Sequence, residues 1–185
     1  MKAKNTLLNM FLSLTVIAVV AGGALALVND ITKEPISQVQ QKKTEKAIKA
    51  VVPAYDHLDS VSVDGVTCHK ALDAQGNVVG VAVPASSEKG FSGHIGVMVG
   101  FDKDGNIYGY QMLATSETPG LGAKAGQWFQ KEGNVIGLNP SNPLSVKKDG
   151  GTVDAISGST ITSRAFCDAV NQAYALFQKA AQQGA

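Results

Sequence analysis

From Asn5 to Asn29 the chain carries no charged residue, and Leu7 to Val28 is apolar apart from Asn9, Ser13 and Thr15. Few other stretches restrict a fold so tightly. A helix rises about 1.5 Å per residue, so this run is long enough to cross a hydrocarbon core about 30 Å thick. A cleaved leader is the rival reading, because Lys2 and Lys4 make a basic start and Ala24-Leu25-Ala26 mimics a small-x-small cut site. Leader cores run about 7 to 15 residues, and this one continues past that site, which favours a retained transmembrane helix. Lys33, Lys42 and Lys43 follow it as Lys2 and Lys4 precede it, so charge asymmetry decides little. A short basic tail before a long domain is the layout of a signal anchor, which puts residues from about Asp30 onward outside the cytoplasmic membrane.

Past Glu34-Pro35, the residues Ile36, Val39, Ala47, Ile48 and Val51 recur at helical spacing until Pro53, predicting a polar amphipathic helix beside the membrane. Its lysines, including Lys46 and Lys49, read as a solvated face. An internal echo follows. Residues 73–81, DAQGNVVGV, and 102–110, DKDGNIYGY, align on D-x-x-G-N-[VI]-x-G, each a hairpin-type turn feeding a β-rich run. His94 to Phe101 is a further strand candidate, so an antiparallel sheet is expected. Phe91 with Gly90, Gly93 and Gly96 reads as a place of bends or close packing, with no functional demand. A helical piece is expected around Gln127-Trp128-Phe129, then an irregular loop to Thr152, then an amphipathic helix over 163–182 carrying Phe166, Val170, Ala173, Tyr174 and Phe177. Strands grouped apart from helices make the fold class α+β. The expected division is 1–29 for a cytoplasmic tail and membrane helix, 30–53 for a juxtamembrane helix and linker, and 54–185 for an extracytoplasmic domain.

With a formal net charge of +1 and no basic cluster interleaved with aromatics, nucleic acid is not an expected partner. Cys68 and Cys167 are far apart in sequence, and His57, His69 and His94 lack metal-ligand spacing, so no protein-bound metal is expected. The two cysteines read as structural thiols rather than a redox pair. Any electron chemistry then needs a bound cofactor.

Two segments carry the chemistry. In Asp154-Ala-Ile-Ser-Gly-Ser-Thr-Ile-Thr-Ser-Arg164, hydroxyls and a glycine stand just before a helix, where backbone N–H groups favour a phosphate and glycine permits close approach. Taken alone, Ser157, Thr160, Thr162 and Ser163 serve equally well as cap and turn residues. Upstream, Glu117-Thr118-Pro119-Gly120-Leu121-Gly122, with Lys124 and Trp128 after it, marks a tight loop that Glu117 could cap.

Both segments resemble a known family. Asp154, Ser157, Gly158, Ser159 and Thr160 match the flavinylation motif of FMN-binding domains, which runs Asp, two variable residues, Ser or Thr, Gly, Ala, then the modified Thr or Ser. Ser159 replaces the usual Ala and adds a competing hydroxyl. The E-T-P-G-L-G run resembles a signature shared by G subunits of Rnf complexes and C subunits of sodium-translocating NADH:quinone reductases, and the likeness extends over nearly the whole chain. The absence of large insertions favours the G branch. The resemblance implies covalent FMN, attached by a phosphoester to Thr160 by a separate flavin transferase that recognises Asp154, Ser157, Gly158 and Thr160. It further implies FMN contacts from Glu117, Thr118, Leu121, Gly122, Ser157, Gly158, Ser159, Ile161 and Thr162, with Trp128 ranked below them because a lone Trp near a loop is more often core.

The function so implied is a flavin relay between other subunits of an ion-translocating ferredoxin:NAD oxidoreductase in the membrane. No dinucleotide fingerprint or iron–sulfur ligand set is present, so those partners must supply both ends of the reaction. The alternatives are a C-type subunit of the quinone reductase, a stand-alone FMN carrier, and a colourless assembly module.

Overall fold

The computed structural model describes residues 3–183; Lys2 lies outside them, as do the side chains of Lys4 and Ile36. The chain forms two compact units, Met1–Lys43 and Thr44–Ala185. Helix α1, Ala3–Val51, runs through both and contains Pro35. Separate membrane and juxtamembrane helices, expected from the Glu34-Pro35 break, are thus one element. The proline ring removes one i→i−4 hydrogen bond, and the helix continues on either side.

In the first unit, Leu7–Pro35 is long and apolar enough to cross a membrane, with an 18-residue window of mean hydropathy 2.5 that is not buried against protein. Its hydroxyls bond to the helix itself: Ser13 Oγ donates to the Met10 carbonyl at 3.0 Å and Thr15 Oγ1 to the Phe11 carbonyl at 2.9 Å. Such back-bonding gives these hydroxyls a partner within the helix, as hydrocarbon requires.

The second unit is built on five antiparallel strands in the order β1 (His57–Val63), β2 (Val66–Leu72), β3 (Val78–Gly90), β4 (Gly93–Asp102) and β5 (Ile107–Thr115). Asp64 and Gly65 have φ of 51° and 80°, the two-residue turn that suits the twist of a hairpin, and they join β1 to β2. The echoed segments make the β2–β3 and β4–β5 turns in the same way as each other. Asp73 Oδ1 accepts from the N–H groups of Gln75 and Asn77 at 2.9 and 2.8 Å, and Asp102 Oδ1 from those of Asp104 and Asn106, both at 2.9 Å.

The last glycine of each echo has a different task. Gly80 and Gly109 lie under the end of α1, where a Cβ on Gly80 would come within 2.9 Å of Pro53 Cδ and one on Gly109 within 3.2 Å of Val51 Cα. Gly100, paired with Gly109, is tighter still: its Cβ would sit 1.7 Å from the Val51 carbonyl oxygen. Ala47, Ile48, Val51 and Val52 bury themselves here against Ala71, Ala82 and Met98. The compact unit therefore starts at Thr44.

The opposite face of the sheet is covered by α3, Thr160–Gln182, through Phe166, Val170, Ala173 and Phe177. Phe166 stacks on Phe129 with centroids 4.1 Å apart and meets Tyr110 edge-on at 4.8 Å. Cys68 and Cys167 are free and buried on this side, and burial pushes the Cys167 thiol up to about 12. A short helix α2, Ala125–Trp128, and the irregular segment up to Thr152 connect β5 to α3. Helix α3 begins at Thr160, one turn earlier than its apolar pattern indicates.

Candidate functional site

The chain enters α3 through a tight turn. Ser159 N–H donates to the Ile156 carbonyl at 2.9 Å, and Gly158 takes φ +76°. A positive φ at that third turn position belongs to a type II turn, which needs glycine. Ser163 locks the turn by donating its hydroxyl to the Ser159 carbonyl and accepting the Ile156 N–H, both at 2.9 Å. Thr160 is therefore the first residue of the helix, where backbone N–H groups have no partner inside the helix.

The upstream loop is a second type II turn. Leu121 N–H donates to the Thr118 carbonyl at 3.2 Å, with Pro119 and Gly120 between them and Gly120 at φ +79°. Gly122 follows in a crowded spot: a Cβ there would stand 2.5 Å from Glu117 Oε2 and 2.9 Å from Thr162 Oγ1. Glu117, only 7% exposed, accepts the Ser92 N–H at 3.2 Å through Oε1. It thereby ties the loop to the tip of the β3–β4 hairpin, where Gly90 also leaves no room for a Cβ.

These pieces enclose a cavity of about 340 Å³. The loop contributes Glu117, Thr118, Leu121 and Gly122; the helix start contributes Gly158, Ser159, Thr160, Ile161 and Thr162. Nine residues expected from sequence thus line one cavity. Two more line it without sequence warning: Phe91, at the hairpin tip and 70% exposed, and Lys148, whose Nζ lies 3.4 Å from Thr160 Oγ1. Phe91 sits at the bend of its segment and also borders the cavity. Its strand glycines do serve bends and close packing, and the same bend presents the ring to the cavity.

Ser157 and Asp154 do not line the cavity. Ser157 is exposed on the turn, and Asp154 pairs with Lys147 at 2.7 Å. Trp128 donates Nε1–H to the Asp154 carbonyl at 2.8 Å and, with Lys124, borders a separate groove on the outer side of the loop. It packs partly against the core, as a lone Trp near a loop should.

Hydroxyl exposure separates the acceptors at the helix start. Ser159 is 8%, Thr162 1% and Ser163 0% exposed, whereas Thr160 is half-buried and opens to the cavity. Ser159 is thus buried as a residue, although it borders the same cavity. Thr162 Oγ1 is buried and has no hydrogen-bond partner, a costly state for a hydroxyl.

Residues 1–51 match the family described as the RnfG N-terminal region, and residues 90–175 match the FMN-binding domain. Among curated proteins, the G subunit of the ion-translocating oxidoreductase complex of Methanosarcina acetivorans is 34% identical, with 94% of this chain and 95% of that protein aligned. The corresponding G subunit of Pseudomonas aeruginosa PAO1 is 32% identical over 94% of this chain and 90% of its own. This chain belongs to the G-subunit family of ion-translocating oxidoreductase complexes. The crystal structure of Shewanella oneidensis NqrC shares the fold, with TM-score 0.50 and 22% identity over 72% of this chain and 71% of that one.

The stretch of this G-family chain that matches the FMN-binding domain spans the hairpin tip, the loop and the helix start, so it contains every wall of the cavity. Those walls fit FMN. A helix N-terminus and a lysine ammonium suit the phosphate. Phe91, Leu121 and Ile161 offer apolar surface to an aromatic ring. The orphaned Thr162 hydroxyl offers a hydrogen bond that the protein itself leaves unused.

Proposed function

We propose that this chain is the FMN-carrying electron-transfer subunit of an Rnf-type ferredoxin:NAD oxidoreductase, with FMN joined to Thr160 by a phosphoester. The observation that carries the reading is the placement of Thr160: of the three hydroxyl residues at the α3 start that line the cavity, Ser159, Thr160 and Thr162, it alone is not buried, and the cavity walls suit a flavin phosphate and ring. The α1 helix crosses the cytoplasmic membrane once, and the domain after it lies on the extracytoplasmic side. Residues 1–29 form the tail and span, 30–53 the juxtamembrane segment, whose end from Thr44 packs into the compact unit, and 54–185 the remainder of the FMN domain.

Bound FMN supplies one- and two-electron transfer. The protein's part is to hold it. Thr160 would contribute the tethering oxygen, and the first N–H groups of α3 would offer the positive end of the helix dipole to the phosphate. Thr118, Gly122 and Thr162 would present polar groups to the flavin, while Leu121, Ile161 and Phe91 would cover faces of its ring. Glu117 fixes the loop against the hairpin tip, so both walls keep their spacing. Asp154 and Ser157, outside the cavity, stand where a flavin transferase could grip the motif from its exposed side. Other subunits deliver and collect electrons.

Expression with a flavin transferase followed by a denaturing gel tests this directly. A band fluorescent under ultraviolet light is expected for the wild type and no fluorescence for Thr160→Ala; a dark wild type supports the colourless assembly module instead. Purification of a fluorescent chain without companion subunits, from membranes that hold them, supports a stand-alone carrier.

A further inference from the structure

We propose that Lys148 is the cation that receives the flavin phosphate at Thr160, while the ester forms and after it has formed. The inference deepens the FMN reading above and rests on it. Lys148 is the middle residue of a single 3-10 turn, Lys147–Asp149. Both neighbours are tied down. Lys147 Nζ bonds the Asp154 carboxylate at 2.7 and 2.8 Å, and Asp149 accepts two bonds from Arg164 Nε and Nη2, both at 2.7 Å. The turn is also closed by the bridge between Val146 and Val153, with Gly151 packed so tightly that a Cβ would meet the Ser145 carbonyl oxygen at 2.0 Å.

Anchored on both flanks, the turn aims Lys148 at the helix start, with Nζ 3.4 Å from Thr160 Oγ1. Charges around it are already matched: Lys147 by Asp154, and Arg164 by Asp149. The hydrogen-bond contact of Lys148 is a neutral hydroxyl at the rim of a cavity that also holds an unpartnered, 1% exposed hydroxyl, Thr162 Oγ1, and the neighbouring Asp149 carboxylate is drawn to Arg164 more strongly than to Lys148. An anionic phosphodiester on Thr160 matches that lysine in sign and reach. Glu117 supplies the acidic group of the same cavity, so the phosphate is held at the Lys148 end.

In the transfer itself a flavin dinucleotide is the donor. The Thr160 Oγ–P bond forms as the pyrophosphate P–O bond breaks. AMP leaves with that bond's electron pair, the hydroxyl proton passes to a base of the transferase, and nothing is oxidised or reduced. Lys148 offsets the negative charge on the phosphoryl oxygens around the phosphorus being attacked.

The test is a time course of in-gel fluorescence with full-length protein in detergent, flavin transferase and the dinucleotide, comparing wild type, Lys148→Gln, Lys148→Arg and the remote control Lys103→Gln. At low salt Lys148→Gln should load about fivefold more slowly, as expected for one partly exposed charge pair. Lys148→Arg should recover most of the rate, Lys103→Gln should match wild type, and high salt should narrow the gap. Circular dichroism melts check that the variants fold, and Lys148→Met serves if the Gln variant does not. A wild type that lights up beside an equally fast Lys148→Gln removes the Lys148 proposal alone. A wild type that stays dark removes the flavin reading and this proposal with it.

Discussion

Replacing Thr162 by Val should make the flavin-free protein more stable and the flavin-loaded protein worse, two opposite effects from one methyl-for-hydroxyl exchange. Thr162 is 1% exposed, and its Oγ1 has no hydrogen-bond partner. A buried hydroxyl left unpaired costs about 1–3 kcal/mol, and Val fills nearly the same space without that cost. For a domain of this size the melting temperature of the apoprotein should rise by about 3–9 °C. If the hydroxyl holds FMN in the loaded protein, as proposed above, the gain should vanish or reverse there. The assay is a pair of circular dichroism melts in detergent, one on protein expressed without flavin transferase and one on loaded protein, with Thr162→Ser as a variant that keeps the hydroxyl. Equal stabilisation of both forms would show that the hydroxyl does not serve the cofactor. Destabilisation of the apoprotein would refute the claim that it is an uncompensated buried group.

Three further outcomes follow from the same structure. Phe91→Ala should leave the fold intact but expose the loaded flavin to iodide quenching, and unchanged quenching would remove Phe91 from the site. Gly100→Ala should lower stability by about 3 kcal/mol or more, because its Cβ would lie 1.7 Å from a backbone oxygen that cannot swing aside; a urea midpoint equal to wild type would disprove the seating of α1 on the sheet. The Asp168 carboxyl is held below its ordinary value first by the hydrogen bond from Lys89, then by one from Ser87, against the opposing effect of burial. A depressed carboxyl contributes stability that is full above its unfolded value of about 3.9 and is lost as pH falls through the folded value. Asp168→Asn should therefore cost stability at pH 7 and much less at pH 3; a constant difference across that range would contradict the assignment.

The parts of this fold that could be read from sequence are those where local chemistry and tertiary structure ask for the same residues. The two Asp-Gly-Asn turns hold themselves with their own side chains, so they are legible without the sheet they serve. The apolar run before Asn29 needs no partner to be recognised. By contrast, β1 is exposed along most of its length, so its sequence lacks the alternation that marks a half-buried strand. Pro35 suggests a break that the helix on either side overrides. At the site, Thr160 and the loop from Glu117 to Gly122 are visible as turn chemistry, but Phe91 and Lys148 reach the cavity only through long-range geometry. Phe91 arrives by way of a hairpin pinned to Glu117, and Lys148 by a turn clamped through Asp154 and Arg164. The carboxylate of Asp154 is a similar case: its motif position is legible, whereas its pairing with Lys147 is not.

The central claim is a covalent flavin on one threonine, and mass spectrometry of the tryptic peptide 149–164 measures it. Protein isolated from cells that contain the flavin transferase should yield this peptide heavier by the mass of FMN less water, with fragment ions placing the increment on Thr160. The unmodified peptide alone, or an increment on Ser159 or Thr162, would contradict the account.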